Sequence, residues 1–322
     1  MTAKANIDYN MPEIFANRPW QNQVTISLLS GSPLYQLDMN RRFGHIRKGL
    51  SQPELDDFVL ESTVQTIQSK KPNLMLVHFT DLDTQRHHYG FSSKQAQAAL
   101  RRHDNRLGRI IHALKQSGIY ENSTIIALGD HSALDESMAI KINVILRRKG
   151  LIDVNKRGKI TDWKAYCKSC DGSAYLYVKN INDEETKSIL QKIIHDLSRD
   201  KSNGIEQVLT KKELRTMGAD SNAYLMVEAL QGYYFTEGLN GDFIDSIITE
   251  DVNSKKYTVA SHGYSPNKHN YTTVLLASGK GIRSNAIIPS MQLVDEGPTL
   301  AKLLGLDLGD TDGKVIQELL EI

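Results

Sequence analysis

Three short polar segments carry the residues of this chain whose types and spacing suit catalysis or metal binding. Asp83 and His87 are four residues apart, Asp130 and His131 are adjacent, and His262 is followed by a glycine. Carboxylate oxygens and imidazole nitrogens together suit a borderline divalent cation such as Zn²⁺, with Mn²⁺ or iron as alternatives. Each segment alone is more typical of a solvated loop, but their joint occurrence favours a metal site.

The elements that must position these residues are short apolar runs. Residues 74–79, 123–128 and 257–260 each read as a buried strand, and each is followed by one of the polar segments. The first polar segment, residues 80–90, is predicted to be a loop. A helix should follow it, with N-cap serines at 92 and 93 and a C-terminal Gly118. Parallel sheets present ligands at the carboxyl ends of their strands, so we expect the five side chains to converge there.

The pattern of apolar and polar residues changes between residues 150 and 256. An amphipathic helix is predicted over 184–197, and a capping box at residues 210–213 should open a shorter helix. Strand-like runs lie at 174–178 and 223–227. We therefore predict an α+β lobe over 150–256, inserted into a metal-binding α/β core made of residues 1–149 and 257–322.

Composition excludes several classes of protein. The 322 residues include 39 Lys and Arg against 38 Asp and Glu, so the net charge is only +1, which argues against binding to nucleic acid or an anionic membrane. No apolar stretch approaches the ~20 residues that span a bilayer. The two cysteines, Cys167 and Cys170, cannot form a disulfide scaffold, and the N-terminus lacks a signal-peptide pattern. We expect a cytoplasmic protein.

The polar segments resemble the three C-terminal metal-binding motifs of the alkaline phosphatase superfamily, in its type I phosphodiesterase and nucleotide pyrophosphatase branch. The matching residues are 83–90 (DTQRHHYG), 129–131 (GDH) and 261–264 (SHGY), in the order and approximate spacing of that family. The tail is similar too, and the resemblance covers about residues 54–322. It implies a three-layer αβα fold with a mostly parallel central sheet and an inserted α+β lobe.

The resemblance also implies a site and a reaction. Family members hold two cations, usually zinc, and hydrolyse phosphate esters or nucleotide-like molecules. Carried over, one ion would be held by Asp83, His87 and His262, and the other by Asp130 and His131 together with an earlier Asp and a Thr or Ser nucleophile. Two nearby residues are weaker substrate-contact candidates. Tyr264 would stack on a base or simply pack, and His269 would meet a phosphate or remain solvated.

The chain departs from the family pattern before Asp83. No apolar strand ends there in an Asp with a hydroxyl residue downstream, and Thr25 follows a short apolar run without such an Asp ahead of it. We expect the sequence to begin part-way into the domain, with one complete metal site and a second one half built. The catalytic nucleophile is therefore unidentified, and the expected activity of this chain alone is weak or absent, because the parts of such a site act together.

Three alternatives stay open. After a metal-dependent hydrolase, the second interpretation is a non-catalytic remnant or subunit that binds metal or nucleotide, or that another chain completes. Asp83, His87 and His262 also form a facial triad for non-haem iron, although helix–strand alternation speaks against that class of fold. Within the superfamily, phosphomutase and sulfatase specificities fit the same motifs.

Overall fold

The computed structural model describes residues 7–12, 20–247 and 257–321. The chain divides into two compact units, one of Met1–Leu82 with Ala99–Ser123 and the other of Asp83–Ala98 with Thr124–Ile322. The division predicted from the sequence, with a lobe over 150–256, stays a prediction, and residues 248–256 lie outside the described part.

The described residues form a mixed α/β structure. Its helices are α1 (Gln23–Ser30), α2 (Pro33–Phe43), α3 (Glu54–Lys70), α4 (Asp81–Tyr89), α5 (Lys94–Gln116), α6 (Ile142–Arg148), α7 (Glu184–Arg199), α8 (Lys211–Thr216) and α9 (Glu296–Leu303). Its strands are β1 (Thr124–Leu128), β2 (Leu134–Ile140), β3 (Ile152–Val154), β4 (Ile160–Trp163), β5 (Ala165–Cys170), β6 (Ser173–Val178), β7 (Ile205–Thr210), β8 (Leu225–Ala229), β9 (Gly232–Phe235), β10 (Ile244–Ser246), β11 (Ala260–Ser261) and β12 (Leu275–Gly279). Over the described ranges, no helix combines the length and apolar character needed to cross a membrane.

Local capping signals placed several helices correctly. The Ser93 hydroxyl accepts a hydrogen bond from the Ala96 amide at the start of α5, and Gly118 adopts a positive φ of 67° after its end. The predicted capping box of α8 is present, with both the Thr210 and the Glu213 side chains bonded to backbone amides. These interactions span three or four residues, so the local sequence contains all the information they need.

The prediction of a loop at residues 80–90 is wrong, because this segment forms α4. Its first turn is capped by the carboxylate of Asp56, which accepts from the amides of Thr80 (3.1 Å) and Asp81 (2.9 Å). A side chain from a helix about 25 residues earlier thus supplies the acceptor that the N-terminal amides require. The local sequence could not show this cap.

The prediction of a mostly parallel sheet is not confirmed. The strands of the described residues form four separate sheets, and only β2 and β9 pair in parallel. β1 pairs antiparallel with β12, and β5, β6, β8 and β7 form an antiparallel sheet in that order. Short turns such as the one joining β5 to β6 permit only antiparallel pairing. Apolar runs followed by polar loops do not by themselves specify the direction of a partner strand.

Residues 74–79 do not form the buried strand that their composition suggested. No strand of the described chain pairs with them, and the side chains of Leu74 and Leu76 are 53% and 69% exposed. An apolar run becomes a strand only when a neighbouring backbone accepts and donates its hydrogen bonds. The run at 123–128 has such a neighbour in β12 and forms β1.

The largest hydrophobic core of the second unit lies between the sheet β5-β6-β8-β7 and the helices α6 and α7. Its fully buried side chains come alternately from the strands and from one face of each helix, as expected for a helix layer on a sheet. They include Leu146, Leu176, Leu190, Ile194, Ile205 and Val227. This core supports the hairpin of β5 and β6, which reaches the polar segment around residue 262.

The first unit contains a buried ionic cluster. Arg106 is buried and its guanidinium lies 2.8 Å from the carboxylate of Asp57, 3.1 Å from Asp81 and 3.5 Å from Asp56. Arg102 adds a bidentate pair to Asp81, at 2.6 and 2.9 Å. Burial opposes ionisation of Asp81, but the two guanidinium groups hold its pKa below the usual value.

Removing Arg106 should destabilise the protein strongly, because it leaves buried carboxylates without their counter-charge. We expect Arg106→Met to lower the free energy of unfolding by roughly 3–5 kcal/mol. Arg109, on the same helix, forms a 2.8 Å pair with Glu61 at the surface. Arg109→Met is the matched control and should cost less than about 1 kcal/mol. Urea unfolding measures both, and equal losses would contradict a special role for the buried cluster.

Candidate metal centre

Asp83 and His87 lie one turn apart on α4. The Nε2 atom of His87 is 3.3 Å from Oδ1 of Asp83, as residues four apart on a helix can be. The Nδ1 atom of His87 lies 2.8 Å from the carbonyl oxygen of Ala260. A carbonyl oxygen only accepts, so Nδ1 carries the proton of that bond and Nε2 is the atom that faces Asp83. Histidines that bind metals usually have this kind of support.

His262 joins this pair from a segment more than 170 residues away. It follows β11, and its Nε2 atom is 3.9 Å from Oδ1 of Asp83. The ring centroids of His87 and His262 are 5.1 Å apart. One potential ligand atom from each of Asp83, His87 and His262 lies within 4.8 Å of the other two. The structure therefore brings together the three residues assigned to the complete site.

The pairing of β2 with β11 brings His131 to the same place. In this antiparallel pair Leu134 lies opposite Ser261. His131 precedes Leu134 and His262 follows Ser261, so the two histidines leave the pair at the same end. Their rings stack with centroids 3.9 Å apart and an interplanar angle of 29°. Strand register therefore positions the second histidine.

Asp130 is the outermost of the five predicted ligands. Its side chain is 66% exposed, and its Oδ1 atom is 3.7 Å from Nε2 of His131. The Nδ1 atom of His131 is bonded to the Ser132 carbonyl oxygen at 2.9 Å. In the described chain, Asp130 and His131 lie beside the compact group of three without belonging to it.

The surroundings of Asp83, His87 and His262 shift the pKa values of these three groups in different directions. Burial disfavours ionisation of Asp83, but the hydrogen bond and the charge of His87 lower the pKa of Asp83 overall. Burial likewise opposes protonation of His87, yet Asp83 and the Ala260 carbonyl raise its pKa. Burial and the neighbouring His131 lower the pKa of His262 to about 4. Near neutral pH, His262 therefore keeps the unprotonated nitrogen that a metal ligand needs.

The two weaker candidates lie in different surroundings. Tyr264 is 6% exposed, and its hydroxyl is 2.8 Å from Oε1 of Glu136 and 2.7 Å from the Tyr233 carbonyl oxygen. His269 is exposed, and within the described residues no contact joins it to the metal group. Their predicted contact with substrate stays a prediction, and the structure shows an interior packing role for Tyr264.

Sequence reasoning missed Glu136, which lies behind the metal group on β2. Its carboxylate accepts hydrogen bonds from the hydroxyls of Ser261 and Tyr264, on either side of His262. Burial raises the pKa of Glu136 to about 8, although these two hydroxyls act in the opposite direction. The available signal was an acidic residue at an inward position of an alternating strand, since Leu134 and Glu136 are buried while Asp135 is exposed.

Comparison with known proteins gives a family and a fold. The model of the type I phosphodiesterase / nucleotide pyrophosphatase family matches residues 1–265. The structure is similar to an inactive form of murine ectonucleotide pyrophosphatase / phosphodiesterase 5 in complex with AMP, at 20% identity and a TM-score of 0.60 over 85% of this chain and 65% of that one. The human protein of the same name gives 18% identity and a TM-score of 0.61 over 91% and 76%. No curated protein sequence matches significantly.

The buried carboxyl of Glu136 should make stability depend on pH. The unfolded chain ionises this group near 4.5 and the folded chain near 8, so between these values the unfolded state binds fewer protons. Its contribution to stability therefore falls as pH rises from about 4.5 to 8. The charge of Asp171 also raises the pKa of Glu136, and the charge of His87 lowers it. Glu136→Gln, which does not titrate, should lose less stability over this range.

Thermal melts at pH 5 and pH 8.5 measure this difference. Between pH 5 and pH 8.5, the melting temperature of the wild type should fall by about 2–5 °C more than that of Glu136→Gln. This difference corresponds to roughly 1–2 kcal/mol for a chain of this size. Glu184→Gln, at an exposed position on α7, is the control and should follow wild type. Parallel pH profiles for all three proteins would show that Glu136 is not protonated in the folded state.

Proposed function

Since the chain belongs to the type I phosphodiesterase / nucleotide pyrophosphatase family of the alkaline phosphatase superfamily, we propose that it is a metal-dependent phosphoester hydrolase that acts on nucleotide-like phosphate esters. One observation carries this proposal: Asp83, His87 and His262 present one ligand atom each within 4.8 Å of one another. The chain covers 65% of the length of the murine structural neighbour. The activity of the whole protein is therefore part of this proposal.

The donor set supports zinc as the cation. Two imidazole nitrogens and one carboxylate oxygen form a catalytic type of zinc site that keeps a position open, and Mn²⁺ is the alternative. The bond from His87 Nδ1 to the Ala260 carbonyl and the low pKa of His262 both favour nitrogen lone pairs directed at a cation. A bound cation would neutralise charge on the phosphoryl oxygens and acidify water.

We propose that Asp130 and His131 hold a second cation beside the first, at lower affinity. The stacking of His131 on His262 places the two groups side by side, and the exposure of Asp130 leaves this second position open to solvent. In two-cation sites, a pair of charges stabilises the entering and the leaving oxygen of phosphoryl transfer. With no hydroxyl nucleophile identified for this position, we expect turnover to be slow.

The second candidate function is binding of metal or nucleotide without turnover. The observation that favours it is the 66% exposure of the Asp130 side chain, which stands outside the compact group. Among the similar structures, an inactive form of the murine protein is in complex with AMP. The choice between the two functions therefore depends on measured turnover. The cytoplasmic location stays a prediction of the sequence.

Metal content tests the site directly. Asp83→Ala should weaken zinc binding by at least about 10–100-fold, because it removes the carboxylate that both histidines face. Asp196→Ala, an exposed aspartate on α7 paired with Lys192, is the matched control and should bind zinc like wild type. Competition with a chromophoric chelator gives the affinities. Wild-type affinity in Asp83→Ala would refute the assigned site.

Hydrolysis of a nucleoside monophosphate p-nitrophenyl ester separates the two candidate functions. The zinc-loaded wild type should release p-nitrophenol, and removal of metal by a chelator should stop it. His87→Ala should lower the rate by about 10²-fold or more, whereas His195→Ala, exposed on α7, should not change it. AMP binding without any p-nitrophenol release in the zinc-loaded protein would instead establish the non-catalytic function.

A further inference from the structure

The hairpin of β5 and β6 touches the segment that carries His262. We refer to residues 170–173 as the hairpin tip and to residues 261–264 as the His262 loop. The amide of Gly172 donates a hydrogen bond to the carbonyl oxygen of His262 itself, at 2.8 Å. The two segments are about 90 residues apart in the sequence, so this contact exists only through the fold.

Two glycines allow the backbones to approach this closely. A Cβ atom on Gly172 would lie 2.3 Å from Cγ of Tyr264 and 2.5 Å from its two Cδ atoms, so the tyrosine ring lies directly on the glycine. A Cβ atom on Gly263 would lie 1.8 Å from the carbonyl oxygen of Cys170. Gly263 also has a positive φ of 78°, whereas the φ of Gly172 is not positive. At Gly172 the requirement is therefore space alone.

The far side of the His262 loop is held as firmly. The Tyr264 hydroxyl contacts the Glu136 carboxylate and the Tyr233 carbonyl oxygen, and Ser261 also bonds to Glu136. The amide of Gly263 donates to the hydroxyl of Tyr271 at 2.8 Å. The residues on both sides of His262 are thus held by hydrogen bonds, and these bonds restrict the position of its backbone.

We propose that Gly172 and Tyr264 are positioning residues for the metal site, acting together to set where His262 stands relative to Asp83. The inference rests on the proposed function, since it concerns the same cation, but it adds a role for the hairpin tip and for a tyrosine whose hydroxyl bonds to Glu136 and to the Tyr233 carbonyl oxygen. Outer groups that orient metal ligands typically contribute 10–100-fold to metal affinity. An added methyl group at Gly172 must displace the Tyr264 ring, and with it the His262 loop.

The test measures metal binding in Gly172→Ala, with Gly108→Ala as the matched control. Gly108 lies in α5, and a Cβ atom there meets nothing within 4 Å. Zinc affinity, measured by competition with a chromophoric chelator, should fall about 10–100-fold in Gly172→Ala and stay at the wild-type value in Gly108→Ala. The visible absorption of the Co²⁺-loaded protein should also change in Gly172→Ala alone, because it reports the geometry of the ligands.

Tyr264→Phe keeps the inference testable if Gly172→Ala fails to fold. This variant retains the ring on Gly172 and removes the hydroxyl bonds to Glu136 and Tyr233, so it should also weaken zinc binding and alter the Co²⁺ spectrum. Wild-type zinc affinity and an unchanged Co²⁺ spectrum in a folded Gly172→Ala or Tyr264→Phe would overturn the positioning role while leaving the proposed function intact. A wild-type protein that binds no metal would instead overturn the proposed function, and the inference with it.

Discussion

The candidate metal site depends on one half-buried carboxylate, that of Asp83, which faces two imidazoles. Asp83 lies 3.3 Å from His87 and 3.9 Å from His262, and the ring of His131 stacks on that of His262. Burial opposes a charge on either histidine; Asp83 and the Ala260 carbonyl nevertheless raise the pKa of His87, whereas burial and the neighbouring His131 lower the pKa of His262 to about 4. A divalent cation suits such a group better than protons do, because it binds neutral imidazoles and neutralises the carboxylate.

Strand β2 does most to hold these groups together. It pairs with β9, β10 and β11, and its register with β11 aligns the segment of His131 with that of His262. It also carries Glu136, whose buried carboxyl receives the hydroxyls on both sides of His262. A buried polar group of this kind is costly unless it is satisfied, and here its partners belong to the loop that the site needs.

The start of α4 is held by charged side chains of the first compact unit. Asp56 caps the first residues of α4, and Asp81 is neutralised by Arg102 and Arg106. These interactions satisfy the first backbone amides of α4 and the charge of Asp81.

The sequence by itself determined the features that depend on neighbouring residues or on residue type. The caps at Ser93 and Thr210 act over three residues, and the five candidate ligands were recognisable from their chemistry and order. Tertiary structure decided the rest, because the decisive contacts are distant in the chain. The hydrogen bond from His87 to Ala260 joins residues 173 positions apart. The cap that Asp56 provides for α4, where the sequence predicted a loop, joins residues 25 positions apart. The antiparallel pairing of β1 with β12 and the hydroxyl bonds that bury Glu136 are equally non-local, and no periodicity in the sequence records them.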